Sequence, residues 1–158
     1  MGSIQTILVV EDDADQREAL AHLLRQNAYS VDVACDGLDA LDYLRRSPLL
    51  PGLVLLDLKM PRMDGWEFLA AIAADVALRR TRVVITSSEP EAERVAPWPA
   101  TLFVSKPLRA DALLRFIAET LRREPPPPDE STGPTMPTKA ERLADADLGD
   151  DIDTLGGG

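Results

Sequence analysis

The chain alternates between short apolar runs and segments with helical spacing, and this alternation limits the possible folds more than any other feature. Five apolar runs are recognisable: Thr6–Val10, Ser30–Ala34, Leu53–Leu56, Arg82–Thr86 and Thr101–Ser105. Several are apolar at consecutive positions rather than at every second one, which is typical of parallel strands covered by helices on both faces. The pattern therefore predicts an α/β fold, an open parallel sheet with crossover helices.

Four of the intervening segments carry apolar residues three or four positions apart, as on one face of a helix. These apolar residues are Leu20, Leu23 and Leu24; Leu38, Leu41 and Leu44; Phe68, Leu69 and Ile72; and Leu113, Phe116, Ile117 and Leu121. The segment between the fourth and fifth runs differs. Pro90 is compatible with the first turn of a helix, but Pro97 and Pro99 end it after about two turns. We expect that helix to be short or frayed.

The composition changes after Arg123. Residues 125–128 are four prolines, and the remainder is rich in Asp, Glu, Ser, Thr, Gly and Pro. Such a segment cannot bury enough apolar surface to offset the entropy lost on ordering. We interpret residues 1–123 as one folded domain and residues 124–158 as a disordered, proline-rich acidic tail. Scattered apolar residues within 140–155 leave open a segment that folds on a partner.

Charge and composition exclude several classes of protein. The net charge is −10, and residues 124–158 hold nine acidic against two basic side chains, so the chain lacks the basic surface of a nucleic-acid-binding protein. No run approaches the ~20 apolar residues of a membrane span. The N-terminus lacks the features of a signal peptide, and the single Cys35 cannot form an internal disulfide. We expect a cytoplasmic protein that contacts neither nucleic acid nor membrane.

Polar residues with complementary chemistry stand at the ends of the apolar runs. They are Glu11, Asp12 and Asp13 after the first run, Asp57 after the third, Thr86 and Ser87 at the fourth, and Lys106 after the fifth. In an open parallel sheet, ligands bind beyond the carboxyl ends of the strands. These side chains are therefore predicted to share one edge of the sheet.

Clustered carboxylates repel one another unless a cation neutralises them, and Mg²⁺ prefers oxygen ligands. Asp12 and Asp57 are candidate direct ligands, with Glu11 acting through water or from behind them. A carboxylate can also attack phosphorus and form an acyl phosphate. A cation and Lys106 would then neutralise the phosphoryl oxygens, and Thr86 could donate a hydrogen bond to one of them. The pattern predicts a site at which a carboxylate accepts a phosphoryl group with the help of Mg²⁺ (or Mn²⁺).

Four segments, ILVVEDD (7–13), LVLLDLKMPRMDG (53–65), VVITSS (83–88) and FVSKPL (103–108), resemble in order and spacing the response-regulator receiver family. The similarity covers roughly residues 5–123 and is closest to single-domain regulators of the chemotaxis type. It implies a flavodoxin-like, doubly wound sheet of five parallel strands in the order 2-1-3-4-5.

The resemblance also implies roles for individual residues. Asp57 is the phosphorylation site, and the metal ligands are Glu11, Asp12, Asp57 and the backbone carbonyl of Lys59. Lys106 contacts the phosphate. Thr86 is the switch hydroxyl, and Phe103 stands where the family carries an aromatic rotamer switch.

By the same resemblance, the chain is a single-domain response regulator. It receives its phosphoryl group from a histidine kinase or a phosphotransfer protein and signals through phosphorylation-dependent contact with an unknown protein target. It is not an enzyme, and self-dephosphorylation is slow at most because Lys59 and Ser88 cannot orient a water molecule. A receiver-fold adaptor that signals without phosphorylation is the alternative. A haloacid-dehalogenase-type phosphatase is disfavoured because Lys59 stands where its general acid would be.

Five further residues receive structural interpretations. We expect Asp13 to cap the first helix, Gly65 to permit a positive-φ turn, and Trp66 to pack at the start of the third helix. Cys35 is interpreted as a small buried residue on the second strand, and His22 as a surface or edge residue.

Overall fold

The computed structural model describes residues 5–88 and 101–123. Within them, five strands and four helices follow one another along the chain. The strands are β1 (Thr6–Val10), β2 (Ser30–Ala34), β3 (Leu53–Asp57), β4 (Val83–Ser87) and β5 (Thr101–Ser105). The helices are α1 (Ala14–Gln26), α2 (Gly37–Arg46), α3 (Gly65–Ala74) and α4 (Ala110–Arg122). The predicted strand bounds agree with the structure within one residue at each end.

The strands form one parallel sheet in the order β2-β1-β3-β4-β5, as predicted. Strand β2 lies on one side of β1, whereas β3, β4 and β5 follow one another on the other side. The strand order therefore reverses between β1 and β3, and the crevice for a ligand lies beyond their carboxyl ends.

Each face of the sheet supports its own apolar core. On one face, Leu8, Val10 and Leu56 pack with residues of α2 and α3, including Phe68. On the other face, side chains such as Ile7 pack with residues of α1 and α4. Strands β3 and β4 are buried along their whole length, which explains why residues 53–56 and 83–85 are continuously apolar.

Aspartate side chains cap three of the helices. Asp13 accepts a hydrogen bond from the backbone N–H of Gln16 at 2.9 Å, which confirms its predicted role at the start of α1. Asp36 caps α2, and Asp64 forms a reciprocal capping box with Glu67 at the start of α3. Such caps satisfy backbone donors at helix starts and are worth about 1 kcal/mol each.

The predicted positive-φ turn at Gly65 is wrong. No glycine in the described residues has a positive φ; Arg62 (φ 65°) and Ala28 (φ 67°) do. Gly65 is required for another reason, because a Cβ atom there would lie 2.7 Å from the carbonyl oxygen of Asp57 and 2.8 Å from the Cα of Leu58. Helix α3 therefore begins in van der Waals contact with the end of β3.

The interpretation of Cys35 as a buried residue of the second strand is also wrong, since it follows β2 and is exposed. His22 is exposed, and Trp66 is partly buried against the core, both as predicted. The helix predicted between the fourth and fifth strands lies outside the described residues, as do residues 124–158. Among the helices of the described part, none has the length and hydropathy needed to cross a bilayer.

Candidate functional site

Three carboxylates converge beyond the carboxyl ends of β1 and β3. Glu11, Asp12 and Asp57 each offer one oxygen, and these oxygens all lie within 4.8 Å of one another. Glu11 and Asp57 are buried, whereas Asp12 is exposed to solvent. Three carboxylate oxygens at this spacing, one of them open to water, fit the ligand preferences of a hard divalent cation such as Mg²⁺.

Lys106, which follows β5, supplies a positive charge to this cluster. Its Nζ lies 3.4 Å from Oδ1 of Asp57 and 3.4 Å from Oε2 of Glu11. The backbone N–H of Lys106 donates to the carbonyl oxygen of Ser87 at 2.8 Å, which ties the residue to the end of β4. The peptide bond between Lys106 and Pro107 is cis. One ammonium group thus serves two buried carboxylates.

Without a cation, the buried carboxylates of the cluster are destabilised in their charged forms. Burial, followed by the neighbouring charge of Asp57, raises the pKa of Glu11 to about 7. Burial also raises the pKa of Asp57, although Lys106 and the backbone N–H of Lys59 oppose the shift. Glu11 therefore retains its proton towards neutral pH, and a divalent cation would compete with that proton for the Glu11 carboxylate.

Lys59 lies in the loop after β3. Its side chain is exposed, and its backbone N–H forms a hydrogen bond with the carboxylate of Asp57. The main chain of this loop therefore contacts the Asp57 carboxylate directly.

The two predicted switch residues lie on adjacent strands near the same edge. Thr86 is paired with Asp57 in the β3–β4 register, is buried, and donates its hydroxyl hydrogen to the carbonyl oxygen of Leu56 at 3.4 Å. Phe103 lies opposite Ile85 on β5 and is partly buried against the core formed with α2 and α3. Thr86 thus lies on the strand next to Asp57, and Phe103 lies on the outermost strand, one strand further away.

Two residues of α1 belong to this site but were not predicted from the sequence. Oε1 of Gln16 lies 3.3 Å from Nζ of Lys106. The guanidinium of Arg17 donates to the backbone carbonyl oxygens of Glu11, at 2.9 Å, and Asp12. The available signal was their position in the first turn of a helix that begins directly after the acidic loop.

A family model described as "Response regulator receiver domain" matches residues 7–118. The chain is 38% identical over 136 residues to the response regulator MprA of Mycobacterium sp. (strain KMS). This alignment covers 83% of this chain and 55% of that protein. It is 37% identical over 125 residues to the MprA protein of Mycobacterium leprae (strain TN), covering 76% of this chain and 52% of that one. The chain thus matches about half the length of these curated relatives.

Solved structures agree with this family. The chemotaxis response regulator CheY4 of Vibrio cholerae superposes with a TM-score of 0.67 at 25% identity, covering 75% of this chain and 99% of that one. The signal receiver domain of a histidine kinase from Syntrophus aciditrophicus superposes with a TM-score of 0.67 at 28% identity, covering 76% and 95%. The chain belongs to the response regulator receiver domain family, whose members serve two-component signalling and bind Mg²⁺ in an acidic pocket.

Proposed function

We propose that the chain accepts a phosphoryl group on Asp57 from a histidine kinase or phosphotransfer protein and signals through phosphorylation-dependent contact with another protein. The observation that carries this proposal is the shared position of Lys106, within 3.4 Å of both Asp57 and Glu11, beside a cluster of three carboxylates. A solvated rim of strand ends would not need a lysine directed at the two buried acids.

In the proposed reaction, a carboxylate oxygen of Asp57 attacks the phosphorus of a phosphohistidine. The oxygen–phosphorus bond forms as the phosphorus–nitrogen bond breaks, and the electron pair of that bond returns to the imidazole. The ammonium of Lys106 offsets charge on the phosphoryl oxygens during transfer. Glu11, Asp12, Asp57 and the Lys59 carbonyl would hold Mg²⁺ (or Mn²⁺), which when bound neutralises phosphoryl charge and orients the transferred group.

The switch in this proposal begins at Thr86. A phosphoryl group on Asp57 competes with the carbonyl of Leu56 for the Thr86 hydroxyl, because a charged acceptor forms the stronger hydrogen bond. Movement of Thr86 vacates space that Phe103 fills by turning inward, and the outer surface at β5 and α4 then changes its affinity for partners. Phosphorylation shifts the equilibrium only by its differential affinity for the two states.

The remaining parts of the proposal concern its setting. The protein acts in the cytoplasm, and its output is contact with protein rather than with nucleic acid or membrane. It is a phosphoacceptor with slow self-dephosphorylation at most, not an enzyme that turns over external phosphate esters. We expect no such turnover because Lys59, two residues after Asp57, stands where a phosphatase of this kind would need its general acid.

The test is phosphorylation by acetyl phosphate or phosphoramidate in the presence of Mg²⁺, followed by intact mass. We expect the wild type to gain one phosphoryl group and Asp57→Asn to gain none. Asp13→Asn is the matched control: it removes a charge at the same edge, conserves a good helix cap, and should label like the wild type. A folded wild type that binds Mg²⁺ but never gains a phosphoryl group would favour the adaptor that signals without phosphorylation.

A further inference from the structure

The loops that follow β2 and β3 are joined by an ion pair outside the acidic cluster, in which the carboxylate is buried and the guanidinium is largely exposed. Nε of Arg62 donates to Oδ2 of Asp36 at 2.6 Å, and Nη2 of Arg62 contacts the same oxygen. The Asp36 side chain is only 3% exposed, whereas Arg62 extends over it from the solvent side. Burial alone would disfavour the charged carboxylate, but hydrogen bonds from Asp39 and Arg62 hold the pKa of Asp36 below its usual value.

The same loops also meet through their main chains. The backbone N–H of Gly37 donates to the carbonyl oxygen of Met63 at 3.1 Å. A Cβ atom at position 37 would lie 2.6 Å from Cγ and 2.8 Å from the carbonyl oxygen of Met63, so only glycine fits. We call the four residues Asp36, Gly37, Arg62 and Met63 the interloop clasp.

In the interloop clasp, Asp36 is fixed by the helix that it caps, whereas Arg62 has a strained backbone conformation. Asp36 is held by α2, because its Oδ1 accepts the backbone N–H of Asp39 at 2.9 Å as the helix cap. Arg62 has φ 65°, in the left-handed region that residues other than glycine and asparagine rarely adopt. An arginine in this conformation needs contacts that over-determine it, and the ion pair with a fixed carboxylate supplies them.

The clasp acts on the segment that contacts the acceptor carboxylate. The loop from 58 to 64 carries Lys59 near its start, where the backbone N–H of Lys59 donates to Asp57, and it closes where the N–H of Gly65 donates to the carbonyl of Leu58 at 2.9 Å. Arg62 and Met63 lie between these points and attach the loop to the start of α2. The placement of the Lys59 peptide therefore depends on how the outer part of the loop is held.

We propose that Asp36 and Arg62 are positioning residues for the phosphoacceptor site. They hold the loop after β3 so that the main chain of Lys59 presents its N–H to Asp57 and its carbonyl to the cation. This inference rests on the function proposed above. It assigns a role to a pair that touches neither the phosphoryl group nor the cation.

The test compares Mg²⁺ affinity, measured by titration calorimetry, with the hydrogen exchange of the Lys59 amide. Arg62→Gly removes the guanidinium and relieves the left-handed strain, Arg62→Lys keeps the charge, and Asp36→Asn keeps the helix cap. We expect Arg62→Gly and Asp36→Asn to weaken Mg²⁺ binding by about tenfold, as supporting residues of metal sites do. Arg62→Lys should weaken Mg²⁺ binding less than Arg62→Gly does, because it keeps the positive charge.

The matched control is Arg46→Gly, which removes an arginine from an exposed ion pair with Asp42 on α2. It should bind Mg²⁺ like the wild type even where it lowers the stability of the helix. Exchange of the Lys59 amide should quicken in Arg62→Gly and stay unchanged in the control, because only the former releases the loop.

The outcomes separate the two proposals. If the wild type binds Mg²⁺ and Arg62→Gly binds it within twofold with unchanged exchange at Lys59, the positioning role is wrong while the phosphoacceptor function stands. If the folded wild type binds no Mg²⁺, the proposed function itself fails and takes the positioning role with it. Far-UV circular dichroism of each variant establishes that it is folded before either comparison is made.

Discussion

The ammonium nitrogen of Lys106 lies 3.4 Å from a carboxylate oxygen of Asp57, although the two residues are forty-nine positions apart along the chain. The contact exists because β3 and β5 both end at the same edge of a parallel sheet, with β4 between them. The same ammonium lies equally close to Glu11 after β1. A single lysine therefore links the ends of three strands.

Replacing Lys106 with methionine should slow phosphorylation of Asp57 by about tenfold or more, because the transferred group loses a preorganised positive charge. The rate with phosphoramidate and Mg²⁺, followed by intact mass, measures the effect. Gln16→Ala is the control, since Gln16 contacts Lys106 with a neutral amide oxygen and should change the rate little. An unchanged rate in Lys106→Met would contradict the role assigned to this lysine.

The stability of the metal-free protein should contain a component that falls as pH rises. Glu11 ionises near 4.5 when unfolded but near 7 when folded, so the folded state binds more protons between these values and loses stability across them. The loss over the whole interval is roughly 3 kcal/mol as an upper bound, of which roughly 2 kcal/mol falls above pH 5.5. Urea unfolding at pH 5.5 and pH 8 measures this upper part.

Two controls accompany the pH experiment. Glu11→Gln should flatten this component, because the amide does not titrate. Mg²⁺ at pH 8 should restore stability to the wild type, because the cation binds the folded site and replaces the proton. Identical pH dependence in the wild type and Glu11→Gln would show that Glu11 is not the group responsible.

Gly65→Ala should destabilise the fold by about 1–3 kcal/mol, because the added methyl overlaps backbone atoms of Asp57 and Leu58 that cannot move independently. Phosphorylation should slow as well, since the end of β3 must shift. Gly52→Ala is the matched control: its nearest contacts are the side-chain ends of Gln5 and Leu121, at 2.9 and 3.1 Å, which can move aside. Denaturant unfolding of both variants decides the matter, and equal costs would contradict this account.

The phosphoryl group on Asp57 should persist well beyond a few seconds once the donor is removed. Lys59 and Ser88, both exposed at the edge of the site, offer no carboxylate or carboxamide to orient an attacking water. Lys59→Asn should shorten the lifetime severalfold, whereas Arg46→Asn, a distant exposed substitution, should not. Phosphate release followed continuously measures the decay, and a wild-type lifetime of seconds would count against the explanation.

Local sequence was sufficient wherever a feature depended on neighbours along the chain. The strand bounds, the cap at Asp13 and the convergence of Glu11, Asp12, Asp57 and Lys106 all follow from apolar runs and the polar residues that end them. The interpretations of Gly65 and Cys35 failed because they concern distances to other segments. Gly65 is required by the approach of α3 to β3, and Cys35 lies just beyond the end of β2, where its side chain is exposed.

The pattern of apolar runs was enough to predict a parallel sheet and to place the polar site residues at the carboxyl ends of its strands, because side-chain periodicity and strand direction are local properties. Tertiary packing alone decided which groups touch. It paired Arg62 with a carboxylate after another strand, brought Gln16 to Lys106, and buried two carboxylates deeply enough to raise their pKa values. Those contacts depend on the relative placement of loops and helices, and the energy that sets this placement is spread over both apolar cores.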